Sequence, residues 1–228
     1  MFYEPSADPK ARPLAIDPFK ALVVPRPIGW ITSMSPEGVV NLAPFSFFNA
    51  FGDTPPIVGF APQGRKPDRP IKDSLANVEA TGEFVCNLAT YALRERMNLT
   101  ATHFPAGIDE MRKAGLTPTP SRLVKPPRVA ESPAHLECRY LRTVELPTWN
   151  PAERQSLVLG QVIGIHIDDE LVKDGRVDIV AARPIARLGY SLYATVSESF
   201  RMPFPDWEQF EAQHLDPASG MAAAGNPR

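Results

Sequence analysis

The chain has 228 residues, of which 43% are apolar and 22% charged, and its formal net charge is −2. That balance belongs to a globular protein and excludes the strongly basic surface of a nucleic-acid binder. No apolar run reaches the roughly 18 residues that a membrane span needs. The opening MFYEPSADPKARPL carries acids and prolines where a secretory leader would be apolar. The expected location is the cytoplasm, with neither nucleic acid nor membrane as partner.

Proline is abundant, 26 of 228 residues, which works against long helices and suits strands bounded by turns. After an extended arm over residues 1–25, IGWITSMS, PEG and VVNLA read as strand, turn and strand, with Gly38 at the bend. FSFFNAF and PIVGFAP are two further strand candidates around GDTPP. Ile71, Leu75 and Val78 then recur at helical spacing, which predicts a short helix with Asp73 as its N-cap and an end near Gly82. EFVCNLA is a strand, and YALRERMNLTA and GIDEMRKAGL are short helices, the second stopped by Gly115.

The run SRLVKPPRVAESP is a proline-broken connector. In HLECRYLRTVEL, Leu136, Cys138, Tyr140, Val144 and Leu146 alternate with Glu137, Arg139, Thr143 and Glu145, and a period of two predicts a half-buried strand. SLVLGQVIGIHID is apolar on both faces, which fits either a barrel wall covered by helices or a subunit interface. KDGRVD turns at Gly175. The pattern as a whole predicts a mostly β fold: one antiparallel β-barrel with short peripheral helices over residues 1–205. Beyond it, residues 206–228 are expected to be a disordered tail.

The inventory of motifs excludes several chemistries. His103, His135, His166 and His214 stand far apart in the sequence and without cysteines at metal-ligand spacing, so no metal site is expected. Cys86 and Cys138 each sit in an apolar strand and read as small core residues. No G-x-S-x-G, P-loop or G-x-G-x-x-G pattern occurs. The acidic DDE at 168–170 reads as a solvated strand end. With no catalytic side chain identified, a cofactor would have to carry any redox chemistry.

One window departs from a dry core. Between residues 26 and 75, short polar residues and aromatic rings share an apolar run that leads to a basic loop and a helix start. Those are the parts that a flavin mononucleotide needs: walls for a flat ring, polar groups along its ribityl chain, and cations with N–H groups at its phosphate. Phe47 and Phe48 could wall the ring, although strand alternation puts one of them in the core. Thr32, Ser33, Ser46 and Asn49 supply short polar side chains, and equally suit ordinary strands and turns. Arg65 and Lys66, with Asp73 and Ser74 at the helix start, could hold a phosphate, or form a solvated loop and a cap.

The stretch RPIGWITSMSPEGVVNLAPFSFFNAFGDTPPIVGF resembles the flavin reductase-like family, whose members bind FMN in a split β-barrel. IKDSLANVEATGEFVCNLA, LVLGQVIGIHIDD, DGRVD and RLGYSLY extend the likeness over about residues 16–195. The resemblance implies an FMN-binding oxidoreductase, a flavin reductase drawing electrons from NADH or NADPH. It implies a homodimer with flavin near the interface and an acceptor such as a monooxygenase or another redox partner. It places the phosphate at Arg65, Lys66 and the Lys72–Ser74 helix start, and it adds Gly189, Tyr190 and Tyr193 near the exposed ring face. Tyr190 stands where many relatives have a second glycine, so its ring could restrict nicotinamide access. Trp149, in the long loop ELPTWNPAERQ, receives no role. Two readings stay open beside the reductase: an FMN electron carrier without nicotinamide chemistry, and a cofactor-free interaction module.

Overall fold

In the computed structural model, residues 1–64, 71–105, 107–204, 206 and 207 are described. A short helix α1 (Phe19–Leu22) precedes a two-residue strand β1 (Arg26–Pro27). Two hairpins follow, β2 (Gly29–Met34) with β3 (Val40–Phe45), then β4 (Phe48–Asp53) with β5 (Pro56–Phe60). Helix α2 (Asp73–Thr81) leads into β6 (Glu83–Leu88), and helices α3 (Arg94–Leu99) and α4 (Glu110–Lys113) come next. Two paired strands of two residues each follow, β7 (Pro118–Thr119) just before the connector and β8 (Arg128–Val129) within it. Two long strands, β9 (Ala134–Leu146) and β10 (Gln155–Ile167), form the largest hairpin. The chain then makes the small hairpin β11 (Val172–Lys173) and β12 (Arg176–Val177), helix α5 (Ile179–Ala182), and the pair β13 (Ile185–Gly189) and β14 (Leu192–Thr195). The contacts divide the chain into two units, Met1–Ser197 and Glu198–Arg228, and all of these elements lie in the first. Apart from residues 206 and 207, the expected tail lies outside the described residues.

Seven strands form one antiparallel sheet in the order β3-β2-β6-β9-β10-β5-β4. A flat sheet of that width would hold its two edge strands about 29 Å apart. Yet those edges, β3 and β4, are joined by residues 46 and 47 alone, and the step from Phe45 to Phe48 reaches about 11 Å at most. The sheet must therefore curl until its edges meet. The Phe45 and Phe60 rings, 5.1 Å apart between centroids, pack across that meeting point. This is the mostly β, split-barrel architecture, with its split at Ser46 and Phe47.

Two apolar clusters fill the two faces of the wall. Trp30 packs with Leu42, Met97, Met111 and Val129 on one side. Its neighbour Ile31 packs with Phe60, Phe84, Cys138 and Val158 on the other, as the alternation of a strand requires. Cys86 and Cys138 are both buried in that second cluster. Burial pushes the Cys138 thiol well above its ordinary pKa, which suits a core residue and not a nucleophile. Phe84 lies flat enough on β10 that a Cβ at Gly160 would come within 2.4 Å of its ring.

Three expectations need correction. Asp73 does not cap α2: Lys72 is the extended residue before the helix, and Asp73 is its first helical residue. There its carboxylate acts on the helix dipole instead of closing the first turn. Glu137 is not on a solvated face. It is fully buried, because the connector folds over it and supplies its hydrogen-bond donors, Arg122 N–H at 2.8 Å and Leu123 N–H at 2.6 Å. The histidines are not all apart, since β9 and β10 pair His135 with His166 at 6.1 Å between ring centroids. Among the described residues, no three metal-ligating side chains come together.

On β10 the burial is uneven. Ser156, Val158, Gly160 and Val162 are buried, while the opposite face is half-buried and ends with Ile165 61% exposed. No helix among the described residues is long and apolar enough to cross a membrane.

Candidate functional site

Ser46, at the split, opens onto a groove of about 490 Å³. Pro44 and Ile28 line it from the barrel, Lys20 from α1, and Arg26, Arg187, Gly189, Tyr190 and Tyr193 from the small sheet. That small sheet has the order β1-β13-β14 and sets Arg26 directly opposite Arg187. A narrower cleft of about 90 Å³ shares Pro44 and Ala101 with the groove and runs to Asn41, Lys72, Asp73, Ser74 and His103. Groove and cleft thus adjoin at Pro44 and Ala101, between the β13–β14 turn and the first turn of α2.

The α2 end brings a helix start, a lysine and two carboxylates, Asp73 and Glu110, to the same cleft. Nine residues of helix direct their positive end into the cleft. Ser74 is buried, and its Oγ accepts from Asn41 Nδ2 at 2.8 Å. Lys72 Nζ lies 3.5 Å from His103 Nδ1. Arg65 and Lys66, expected to contribute here, lie outside the described residues.

The other end holds more positive charge than it neutralises. Arg26 is only 6% exposed. Its Nη1 donates to the carbonyls of Lys20 and Val23, which ties α1 to the sheet, while its Nε has no partner. Arg187 donates to the Tyr190 carbonyl and the Tyr193 hydroxyl, with its guanidinium 4.5 Å from the Tyr193 ring centroid. Burial first, and then the Arg187 charge, hold Arg26 below its ordinary pKa. Among the described residues neither guanidinium has a carboxylate within ion-pair distance. Asp17, the acid on this groove, pairs with Arg12 at 3.7 Å.

Gly189 and Tyr190 show why this turn is shaped as it is. At φ +147° Gly189 passes so close to α1 that a Cβ would stand 2.7 Å from the Ala21 Cα. Tyr190 follows at φ +51°, a region that costs a non-glycine residue roughly 1–2 kcal/mol, and its ring is 51% exposed at the groove. A strained residue held by an arginine at a cavity mouth is a functional candidate.

The structure thus brings Ser46, Gly189, Tyr190 and Tyr193 to the groove, and Asp73 and Ser74 to its extension. The other candidates stand elsewhere. Thr32 is fully buried and accepts from Asn87 Nδ2 at 2.8 Å. Ser33, also buried, accepts from Asn41 and Asn77 at 3.2 Å each, so it braces the cleft from behind. Phe47 lies beneath Lys20 Nζ and Arg26 Cζ, 5.9 and 5.8 Å from its centroid. Phe48 rests on Gly29 and lines a different, apolar hollow with His135 and Ile165. Asn49 is exposed on β4, and its Oδ1 accepts from Ala50 N–H at 2.9 Å.

Sequence reasoning missed Lys20, Arg26 and Arg187. Arg187 begins the quoted RLGYSLY, and Arg26 is a cation set in the otherwise apolar VVPRPIGW. An arginine amid residues expected to be buried was the available signal.

Comparison with known proteins agrees with this architecture. An uncharacterized protein of Deinococcus radiodurans is 38% identical over 205 residues, covering 85% of this chain and 87% of that one. The crystal structure of nitrilotriacetate monooxygenase component B from Bacillus cereus superposes with a TM-score of 0.73 at 31% identity, covering 81% of this chain and 91% of its own. The 2-nitrobenzoate 2-nitroreductase of Pseudomonas fluorescens gives a TM-score of 0.71 at 29% identity, covering 83% and 89%. The family model described as flavin reductase like domain matches residues 21–182. The chain belongs to the flavin reductase-like family.

Proposed function

We propose that the groove and its extension bind FMN, and that the chain is an oxidoreductase using NADH or NADPH to reduce the bound flavin for a downstream acceptor. The observation that carries this reading is the adjoining cleft and groove, with the α2 first turn at one end and the Arg26–Arg187 pair, which has no carboxylate partner among the described residues, at the other. A phosphorylated ligand with a flat, polar-edged ring matches both ends. Lys72, Asp73, Ser74, Arg65 and Lys66 are the residues proposed for the phosphate. Pro44, Ser46, Gly189, Tyr190 and Tyr193 are proposed for the ring, with Phe47 behind its cationic wall and Thr32, Ser33, Phe48 and Asn49 as supports further out.

When bound, FMN supplies the two-electron redox chemistry. The protein's part is placement and electrostatics: Arg26 and Arg187 set a positive potential in a partly water-excluded groove, which favours an anionic reduced ring. The Tyr190 ring limits what reaches it.

The absorption spectrum of purified protein, before and after adding FMN and desalting, tests the cofactor. A retained flavin band supports the reading; no band, together with no change in flavin fluorescence on titration, removes it. Anaerobic mixing with NADH or NADPH tests the donor. Bleaching by neither leaves the electron-carrier reading, which the Tyr190 ring at the groove mouth favours. A monooxygenase component or another redox protein is the acceptor proposed, from the likeness to the Bacillus cereus component. A homodimer belongs to the same proposal. It is supported by the apolar hollow of about 220 Å³ that Phe48, Ile165, Ile167, Val177 and Ile179 line; light scattering that finds a monomer would overturn it.

A further inference from the structure

The groove does not end at Tyr193. Arg187 and Tyr193 also line a second cavity of about 530 Å³, between the segment Tyr91–Asn98 and the β13–β14 pair. Tyr91 lies in it with two guanidinium groups stacked close by, Arg94 at 4.1 Å and Arg183 at 4.6 Å from the ring centroid. The Arg94 side chain keeps 43% exposure and lines the cavity. Glu95 neutralises it only in part, at 3.4 Å from Nε. Ser191 and Thr195 add hydroxyls, and Met97 and Ile185 an apolar floor.

A planar cation packed on an aromatic ring is a platform on which a purine can stack. Arg94 Nη1 donates to the Tyr91 carbonyl at 2.8 Å, which holds its plane at the ring, and Arg187 offers a phosphate a cationic donor. The cavity therefore asks for a flat base that carries phosphate. It adjoins the groove at the end away from α2, where Arg187 and Tyr193 line both. A molecule with two flat ends linked by phosphates would put one end in the groove and the other in the cavity.

We infer that the cavity between Tyr91–Asn98 and β13–β14 seats the adenylate half of the nicotinamide dinucleotide, with Arg94 and Tyr91 as its platform and Arg187 at its phosphates. The inference rests on the reading of the groove as a flavin site with a nicotinamide donor. It makes Arg94 a binding residue for the dinucleotide and not for the flavin.

The test uses the flavin-loaded full chain and the probe 5′-AMP, followed by calorimetric titration. AMP is expected to bind, and Arg94→Gln to weaken it about ten-fold with the flavin spectrum unchanged. In turnover, Arg94→Gln is expected to raise KM for NADH by a similar factor and to leave KM for reduced nicotinamide mononucleotide, which lacks the adenylate, unaltered. Ser191→Glu, on an exposed turn, adds negative charge to the same cavity and is expected to act likewise. No AMP binding, equal binding by wild type and both variants, or an equal change with dinucleotide and mononucleotide would overturn the inference. AMP binding that depends on Arg94, without bleaching by either dinucleotide, upholds the cavity and removes the reductase reading. Normal bleaching with both variants silent does the reverse.

Discussion

Two places in this barrel bury charge, and they do it in opposite ways. Glu137 is sealed in the wall with every approach supplied: Arg122 N–H and Leu123 N–H at 2.8 and 2.6 Å, and His166 Nε2 at 2.5 Å. Burial pushes its carboxyl up, but those two N–H groups and His166 together outweigh burial, and its pKa lies below the ordinary value. Arg26 is nearly as buried, yet its Nε has no partner and its cross-strand neighbour is another arginine. A buried charge with a full set of partners is a structural clamp. One left short of partners, as Arg26 Nε is, carries an uncompensated desolvation cost.

The contrast can be broken by substitution. Glu137→Ala leaves two N–H groups and His166 without their acceptor, and denaturant unfolding is expected to show a loss of about 3–5 kcal/mol. A loss under 1 kcal/mol would mean that water replaces the carboxylate and the clamp is not one. Arg26→Met is expected to do the reverse. Flavin affinity should fall between ten- and a hundred-fold in a fluorescence titration, in line with about 1.5–3 kcal/mol for a charged hydrogen bond. The flavin-free stability should move by only about 1 kcal/mol. Unchanged flavin affinity would move the anion seat away from Arg26.

Smaller effects sharpen the picture. Ser74→Ala removes the acceptor of the 2.8 Å bond from Asn41 and should cost about 1 kcal/mol, together with several-fold in flavin affinity. Tyr190→Gly relieves the φ of +51° and is expected to gain up to about 1 kcal/mol in stability. If the ring shields the groove, the same variant lowers KM for NADH; an unaltered KM removes that role.

Acid acts on His135 and Glu137 at different pH. His135 is held below the ordinary imidazole value of 6.5, chiefly by burial, so the unfolded chain binds the proton more readily. Its contribution is intact above about pH 6.5 and is lost as pH falls from there towards its folded pKa. The Glu137 contribution is present above the ordinary carboxylate pKa of 4.5 and is lost as pH falls through its lower folded value. Melting temperature should therefore drop in two stages on acidification, and Glu137→Gln should abolish the second.

Local pattern in the sequence determined the strands, the helix ending at Gly82, and the turns at Gly38 and Gly175, because turns and periodicity act over a few residues. It could also single out the window with polar groups in an apolar run. Which faces those groups would meet was beyond it. Thr32 and Phe48 sit in the same window, but Thr32 turns into the wall and Phe48 onto the other hollow, since a period of two assigns a face without saying what covers it. The same limit misread Glu137, whose partners come from the connector that folds over it. The pairing of Arg26 with Arg187 joins opposite ends of the chain, and the meeting of β3 with β4 at Ser46 needs the whole sheet to curl. Those long-range closures, set by strand pairing and packing, are what tertiary structure alone decided.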